Sequence, residues 1–459
     1  MGLTKINYIN YYICFQLKLV SMKILKRSFL LLLAIATGIV AVNYPRLNII
    51  AGYSAKNMSS SVYLAGRGLE FTDIHDNNFD LIKFADDNVN QTEKSASAAV
   101  FGLLTRKAIF REGLGSVLLL DKTINTKPLI PKRSEPDNIN SYSVGNAAQK
   151  DTLFSSVNYE QLHKSVAKIF NDTNKTRAVV VIHKNQIIAE KYAEGFDKDS
   201  RILGWSMTKS ITATVFGVLQ AQGKLNVQHK APIASWKNDS RKEITIHNLL
   251  QMNSGLEWDE NYNTISDVSK MLFLERDMTT SQIHKPFVGK PNETWNYSSG
   301  TSNLLSGILR SQFNTHQEYL DFWYDELIDK IGMNSMVIET DLSGNYVGSS
   351  YAWATPRDWG KFGLLYLNNG NWNGEQLFDK SWVAYVTTPT PTSNGEYGAH
   401  FWLNAEGQFP DIPNNMFSAN GYQGQRVFIF PDQDLVVVRM GLRSMDYNAF
   451  LKEVIQAIE

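Results

Sequence analysis

The sequence predicts a mixed α/β (α+β) fold in which an antiparallel sheet, flanked by helices, is assembled from distant segments and completed by a mainly helical part. Three observations carry this expectation. Residues 178–183 (AVVVIH) and 187–192 (IIAEKY) flank the polar turn Lys184-Asn185-Gln186, the pattern of a β-hairpin. Far along the chain, residues 426–430 (RVFIF) and 435–440 (LVVVRM) flank Pro431-Asp432-Gln433-Asp434 and make a second hairpin. The interval between them reads as mainly helical with polar loops, so the two hairpins share a sheet only if the helical part, about 206–345, is inserted in the sheet domain.

The elements follow in order. Residues 28–42 (SFLLLLAIATGIVAV) form an apolar run preceded by Lys23, Lys26 and Arg27, the layout of a secretory signal or an N-terminal anchor whose basic end stays inside. The run is a little short of a ~20-residue span. It ends without a small-x-small cleavage site, which favours a membrane anchor and places the rest of the chain on the exported, periplasmic side. Met22 offers an alternative start for this signal-like segment. Segment 1–45 is thus separated from 46–150, which shows no strong periodicity and whose stretch 126–147 is rich in Pro, Ser and Asn: an N-terminal module and linker. The main domain is 151–459. It opens with a helical pattern over 159–170, and after the first hairpin a helix over 211–222 stops at Gly223, since glycine accepts the positive φ of a helix end. An amphipathic helix over 447–458 closes the chain.

Composition excludes several classes. The 45 Lys+Arg balance 45 Asp+Glu, and no basic stripe is interleaved with aromatics, so nothing points to nucleic acid. The lone Cys14 excludes an intrachain disulfide and a cysteine metal cluster, and it lacks the small residues that a lipid-attachment site needs. The eight histidines contain no His-Glu-x-x-His and read as surface or loop residues; no metal or cofactor is expected. The acidic pair Asp259-Glu260 reads as solvated loop carboxylates.

The chemistry concentrates in Gly204-Trp205-Ser206-Met207-Thr208-Lys209-Ser210. Ser206 and Lys209, three apart where a helical pattern begins, share a face. An amine held in a dehydrated site loses its proton more readily and can take the proton of a neighbouring hydroxyl. A second Ser-x-x-Lys, Ser165 to Lys168, falls inside a helix and carries no such expectation. No Gly-x-Ser-x-Gly surrounds Ser206, which leaves an α/β-hydrolase elbow unsupported. Tyr297, in Trp295-Asn296-Tyr297-Ser298-Ser299, precedes another helical pattern; beside an ammonium its phenolate would be stabilised and serve as a general base. Asn420-Gly421-Tyr422-Gln423-Gly424-Gln425 runs into the strand RVFIF, where Gly424 would let a ligand approach the strand edge.

With these motifs together, the chain resembles the serine β-lactamase and penicillin-binding protein superfamily, in its class C and esterase-like branch. Ser206-Met207-Thr208-Lys209 matches the nucleophile motif, Tyr297-Ser298-Ser299 the Tyr-x-Ser/Asn motif, and Tyr422-Gln423-Gly424 the place of Lys-Thr-Gly or His-x-Gly. Segments 244–260 and 349–374 agree, and the resemblance spans about 155–459 in consistent order. Within the superfamily the chain is similar to the 6-aminohexanoate-dimer hydrolase and esterase group.

The resemblance implies a β-lactamase/transpeptidase-like fold with a cleft between sheet and helical parts, no metal, and an acyl-enzyme on Ser206. It implies that Lys209 and Tyr297 deprotonate Ser206, that Ser299 orients Lys209 or relays a proton, and that the backbone N–H groups of Ser206 and Gln425 form the oxyanion hole. Tyr422, Gln423, Gly424, Trp402 and Trp258 are the expected substrate-binding residues. Tyr422 and Gln423 stand where drug-binding relatives carry lysine and a hydroxyl, which argues against β-lactam hydrolysis unless Arg426, Arg439 or Arg443 compensates. The expected function is hydrolysis of a small-molecule amide or ester. The alternatives are D-Ala-D-Ala peptides or β-lactams as substrates, and a non-catalytic cell-wall binding module.

Overall fold

The computed structural model describes residues 3–120, 128–134 and 153–458, so most of the expected linker 126–147 lies outside the described residues. The two hairpins do share one sheet. Its six strands run in spatial order Trp402–Leu403, Phe417–Gly421, Gln425–Phe430, Leu435–Gly441, Thr176–His183 and Gln186–Tyr192, each antiparallel to the next. The joint between distant segments is the pairing of Leu435–Gly441 with Thr176–His183, where Leu435 faces His183 and Met440 faces Ala178.

Both of those strands are buried along their whole length, which is why they read as unbroken β-branched runs. Alternate residues serve two cores. Val179, Val181 and Val437 pack with the helices Tyr159–Lys168 and Tyr447–Gln456 through Leu162, Val166, Leu451 and Val454. Val180, Ile182, Val436 and Val438 face the helix Pro356–Leu367 through Phe362 and Leu365. Gly363 permits the close approach there: a Cβ on it would lie 2.6 Å from Val436 Cγ1.

On the same face lies the helix Met207–Ala221, buried from Met207 to Leu219. It begins four residues earlier than the apolar pattern suggested, because Thr208, Ser210, Thr212 and Thr214 are buried polar residues whose hydroxyls bond to Trp205 O, His400 O, Gly348 O and Tyr366 Oη. A small three-stranded sheet, Ile202–Leu203, Ala352–Ala354 and Val337–Ile338, leads into its first turn.

Segment 46–118 is more ordered than its lack of periodicity implied. The helix Leu3–Tyr63 carries the apolar run, with side chains 28–42 all exposed and a stretch long and apolar enough to cross a membrane. Its later turns pack against a four-stranded meander, Ala85–Asn90, Ser95–Val100, Leu104–Arg111 and Gly115–Leu118. The helix contributes Ala51, Ser54, Ala55, Ser59 and Ser60 to this interface, all fully buried. Small and hydroxylated residues at these positions interrupt the apolar ones, Ile50, Met58 and Leu64, and leave only a weak stripe for a periodicity search to find.

Two buried carboxylates fasten this module to the body: Asp76 pairs with Arg177 of the strand Thr176–His183, and Glu339 anchors the long helix. Glu339 pairs with Lys56 of the long helix and accepts from Ser60 Oγ (2.7 Å), the Ser116 N–H (2.6 Å) and Trp353 Nε1 (2.9 Å). A buried ion pair contributes little over an apolar pair, but losing one partner strands a charge. Lys56→Met should therefore lower the unfolding free energy by about 3 kcal/mol. Lys168→Met, at the exposed pair with Glu453, should cost less than about 1 kcal/mol. Chemical denaturation of both variants checks the contrast.

Candidate active site

The turn into the helix Met207–Ala221 is built to be sharp. Gly204 donates its N–H to Ala352 O at 2.8 Å, and the Trp359 ring occupies the place a side chain at 204 would need. Trp205 follows at φ +49°, a left-handed conformation rare for a bulky residue and one that costs of order 1–3 kcal/mol. Thr208 Oγ1 holds it, donating to Trp205 O (2.7 Å) while accepting from the Ala352 N–H (3.0 Å). Met207, Thr208 and Lys209 close the first turn on Gly204, Trp205 and Ser206 carbonyls, so the Ser206 N–H stands ahead of the helical ladder.

Lys209 is 2 % exposed. Its Nζ donates to Ser206 Oγ (3.0 Å), Ser299 Oγ (2.9 Å) and Ser349 O (2.9 Å), and lies 4.9 Å from the Tyr297 ring centre. Burial pushes its pKa down to about 8, against the opposing pull of Glu260. Tyr297 shares a hydrogen bond with the Ser206 hydroxyl, yet burial first and Glu260 second push its pKa well above the ordinary tyrosine value. The expected stabilised phenolate is thus corrected: the nearby ammonium does not outweigh desolvation, and Tyr297 rests as a neutral phenol.

Glu260 is also corrected. Instead of a solvated loop carboxylate, it accepts from the Ser299 N–H (2.8 Å), Ser299 Oγ (2.5 Å), Trp258 Nε1 (2.6 Å) and Tyr262 Oη (3.3 Å). Ser299, in the first turn of the helix Ser299–Arg310 with Ser298 as N-cap, donates its hydroxyl to Glu260 and accepts from Lys209. A continuous line Glu260–Ser299–Lys209–Ser206 results. Trp258 packs on Gly300 and holds Glu260. Trp402 lies against Tyr297, centroids 5.3 Å apart, with Tyr397 5.7 Å from Tyr297. The bonds to Glu260 and to the Ser349 carbonyl escaped the sequence reading. For Glu260 the signal was its place in segment 244–260; for a backbone carbonyl there was none.

The third motif turns beside the nucleophile. A Cβ on Gly421 would fall 2.0 Å from Gly204 O, so the pair Gly421–Gln425 at the strand start abuts the serine turn. The Gln425 side chain bonds back to Gly441 through both amide atoms, leaving its backbone as the candidate contributor. Gln423 takes φ +59° and Gly424 φ +84°. The room at Gly424 is filled by Tyr447 Oη and Arg439 Nη1, so this glycine admits the protein's own side chains and not, as expected, a ligand. Tyr422 stacks on Tyr262 (5.5 Å) and meets Trp205 edge-on (5.7 Å).

Two of the arginines considered as carboxylate receptors are engaged elsewhere. Arg439 is fully buried and donates to Gly424 O, Arg443 O and Asn174 O; Arg426 donates to Gly421 O and Gln425 O. His400 lies in a loop, as expected of the histidines, but not at the surface. It is buried, its Nδ1 donates to Leu250 O (2.7 Å), its Nε2 faces Ser302 Oγ (2.9 Å), and burial pushes its pKa down to about 3. It stays neutral and ties the nucleophile helix to the helix of Ser299. Among the described residues no group of three or more His, Cys, Asp or Glu could hold a metal ion.

A sheet-and-helix fold that brings a tyrosine from a separate loop beside a serine and a depressed lysine at one turn defines the class of active-site serine proteins with a Ser-x-x-Lys motif. The chain belongs to the Beta-lactamase family, which it matches over residues 168–443, more than half its length. It is 22 % identical over 301 residues to the 6-aminohexanoate-dimer hydrolase of Paenarthrobacter ureafaciens, covering 58 % of this chain and 72 % of that one. A Bacillus anthracis structure bearing the same 6-aminohexanoate-dimer hydrolase designation superposes with TM-score 0.52 at 22 % identity, over 63 % of this chain and 79 % of that one. A family VIII carboxylesterase superposes with TM-score 0.51 at 14 % identity, over 68 % and 99 %.

Because burial depresses Lys209 and Glu260 raises it, the two can be separated. NMR titration of ¹³C-lysine-labelled protein should give Lys209 a midpoint of about 8, and Glu260→Gln, by removing the anion, should move it to lower pH. A midpoint at the ordinary lysine value would contradict the burial argument.

Proposed function

We propose that this protein is a serine hydrolase that cleaves a small-molecule amide or ester through an acyl-enzyme on Ser206. The observation that carries the reading is the buried Lys209 amine, depressed to about 8 and bonded to Ser206 Oγ. At pH 7 about one molecule in ten then holds the neutral amine that can accept the serine proton.

Ser206 Oγ attacks the carbonyl as its proton passes to Lys209, and the oxyanion is met by the N–H groups of Ser206 and Gln425. Collapse of the tetrahedral intermediate expels the amine or alcohol, which takes a proton from the neutral Tyr297 hydroxyl while Lys209 resupplies it. Water then attacks the acyl-serine and gives a proton to the same pair, which passes it to Ser206 Oγ as the acyl–oxygen bond breaks and the acid leaves. Ser299, fixed by Glu260, holds the amine aimed at Ser206. Trp402, packed on Tyr297, and Tyr422, packed on Trp205, would contact the substrate beside Ser206. The similarity to a 6-aminohexanoate-dimer hydrolase and to a family VIII carboxylesterase supports this class over β-lactams or D-Ala-D-Ala peptides. So does the commitment of Arg426 and Arg439 to backbone carbonyls. The helix Leu3–Tyr63 would anchor the enzyme with its body on the exported side of the membrane.

A fluorophosphonate probe should label the protein. Ser206→Ala should lose the label, while Ser165→Ala should keep it, since Ser165 Oγ is buried and bonded to Gln161 O within its own helix. Tyr297→Phe should lower kcat by about 100-fold or more. With p-nitrophenyl acetate, kcat/KM should rise with pH through about 8 and level off above it, because the neutral amine is the active form. Equal labelling of both serine variants would sink the assignment.

A further inference from the structure

The N-terminal module does more than dock on the hydrolase body. A cavity of about 380 Å³ lies between the two, within the size range of ligand sites. One wall is a single face of the long helix: Arg46, Ile49, Ile50 and Tyr53, at i, i+3, i+4 and i+7. The opposite wall reaches the catalytic turn through Trp205, Tyr262 and Tyr422. Tyr53 bridges the walls, stacked on Trp205 at 6.0 Å and packed against Phe79 and Phe273 at 5.4 and 5.7 Å. The cavity thus runs from the residue before Ser206 to the turn at which the helix emerges as the apolar run 28–42. From Tyr53 to Arg46 that is about 10 Å of helix.

The end of the module where the helix emerges is unusual for a water-facing surface. Asn48 is bonded to Arg106, near the start of Leu104–Arg111, whereas Tyr63 is bonded to Asn90 at the far end of Ala85–Asn90. The turn Phe101-Gly102-Leu103 and the segment 81–84 therefore lie at the exit end. There Phe101 (64 % exposed) and Leu103 (57 %) crown the turn, and Phe84 contacts Phe101 at 5.9 Å with Lys83 over its ring. Phe101 holds φ +53°, a turn position that ordinarily goes to Gly or Asn. Arg46 and Asp80 are the charged groups lining the cavity. Exposed apolar residues gathered at one end, continuous with an apolar helix, mark a membrane-facing surface.

We propose that the substrate is a membrane-resident ester or amide whose alkyl chain enters this cavity from the bilayer and is presented to Ser206 by the N-terminal module. The proposal rests on the reading of Ser206 as nucleophile, and the test separates the two. The full chain is reconstituted in phosphatidylethanolamine–phosphatidylglycerol vesicles, and turnover of p-nitrophenyl dodecanoate, in the vesicles or in detergent micelles, is compared with that of p-nitrophenyl acetate.

Wild-type kcat/KM should favour dodecanoate by about tenfold or more. Filling the cavity with Ile49→Trp, or from the exposed loop opposite with Thr264→Trp, should lower the dodecanoate-to-acetate ratio about tenfold. The double variant Phe101→Ser, Leu103→Ser should lower the vesicle-to-micelle ratio for dodecanoate about fivefold. An unchanged chain-length ratio in Thr264→Trp overturns the cavity assignment, even where Ile49→Trp fails to fold. An unchanged vesicle-to-micelle ratio in the turn variant overturns delivery from the bilayer. Full turnover by Ser206→Ala would instead overturn the underlying reading.

Discussion

The candidate site depends on an amine held out of water. Lys209 is surrounded by two hydroxyls and a carbonyl, enough acceptors to tolerate an ammonium but without a carboxylate in direct contact to fix it in that form. Desolvation then wins over the longer-range attraction of Glu260, and the pKa settles near 8. Had Glu260 bonded Lys209 directly, a buried pair would have held the proton on the amine. Ser299 stands between them and separates orientation from charge: it passes the geometric hold of the carboxylate to Lys209 while keeping the anion one hydroxyl away.

Tyr297 obeys the same balance with the opposite sign. Burial raises a phenol for the reason that it lowers an ammonium, since each resists its charged form. The two groups are therefore pushed toward neutrality together, which suits the proposed division of labour, the amine accepting the first proton and the phenol giving one to the leaving group. A polar framework around them keeps the arrangement rigid. His400, neutral because it is buried, bonds Leu250 O and Ser302, and its own carbonyl receives Ser210 Oγ, so the two helices that carry Ser206 and Ser299 cannot shift independently.

The sheet and the motif positions were legible in the sequence because they rest on local signals. Unbroken β-branched runs around polar turns gave the hairpins, and a serine and a lysine three apart at a helix start gave the nucleophile turn. What stayed hidden depends on long-range burial. Asp259 and Glu260 are adjacent in a loop, yet only Glu260 is drawn in among four donors from Trp258, Tyr262 and Ser299. Gly424 signalled close approach correctly but not what approaches, which is Arg439 and Tyr447 from elements that follow it. The N-terminal module eluded periodicity because much of its interface is made of Ala, Ser and the ion pairs Lys56–Glu339 and Asp76–Arg177, residues that bury well only against a matched partner.

Glu339 and the aromatic stack of Tyr53 on Trp205 connect the long helix to the turn before Ser206. Glu339 fixes the register of the helix on the body through Lys56 and Ser60. One turn before Lys56, on the same helix, Tyr53 stacks on Trp205, the strained residue that presents Ser206. Any tilt of the helix about the Lys56–Glu339 anchor would be felt first at Tyr53 and next at Trp205, whose left-handed backbone has few alternatives to adopt. The helix that carries the apolar run is thereby packed against the residue before Ser206, and the cavity between them is bounded by the same aromatic contacts.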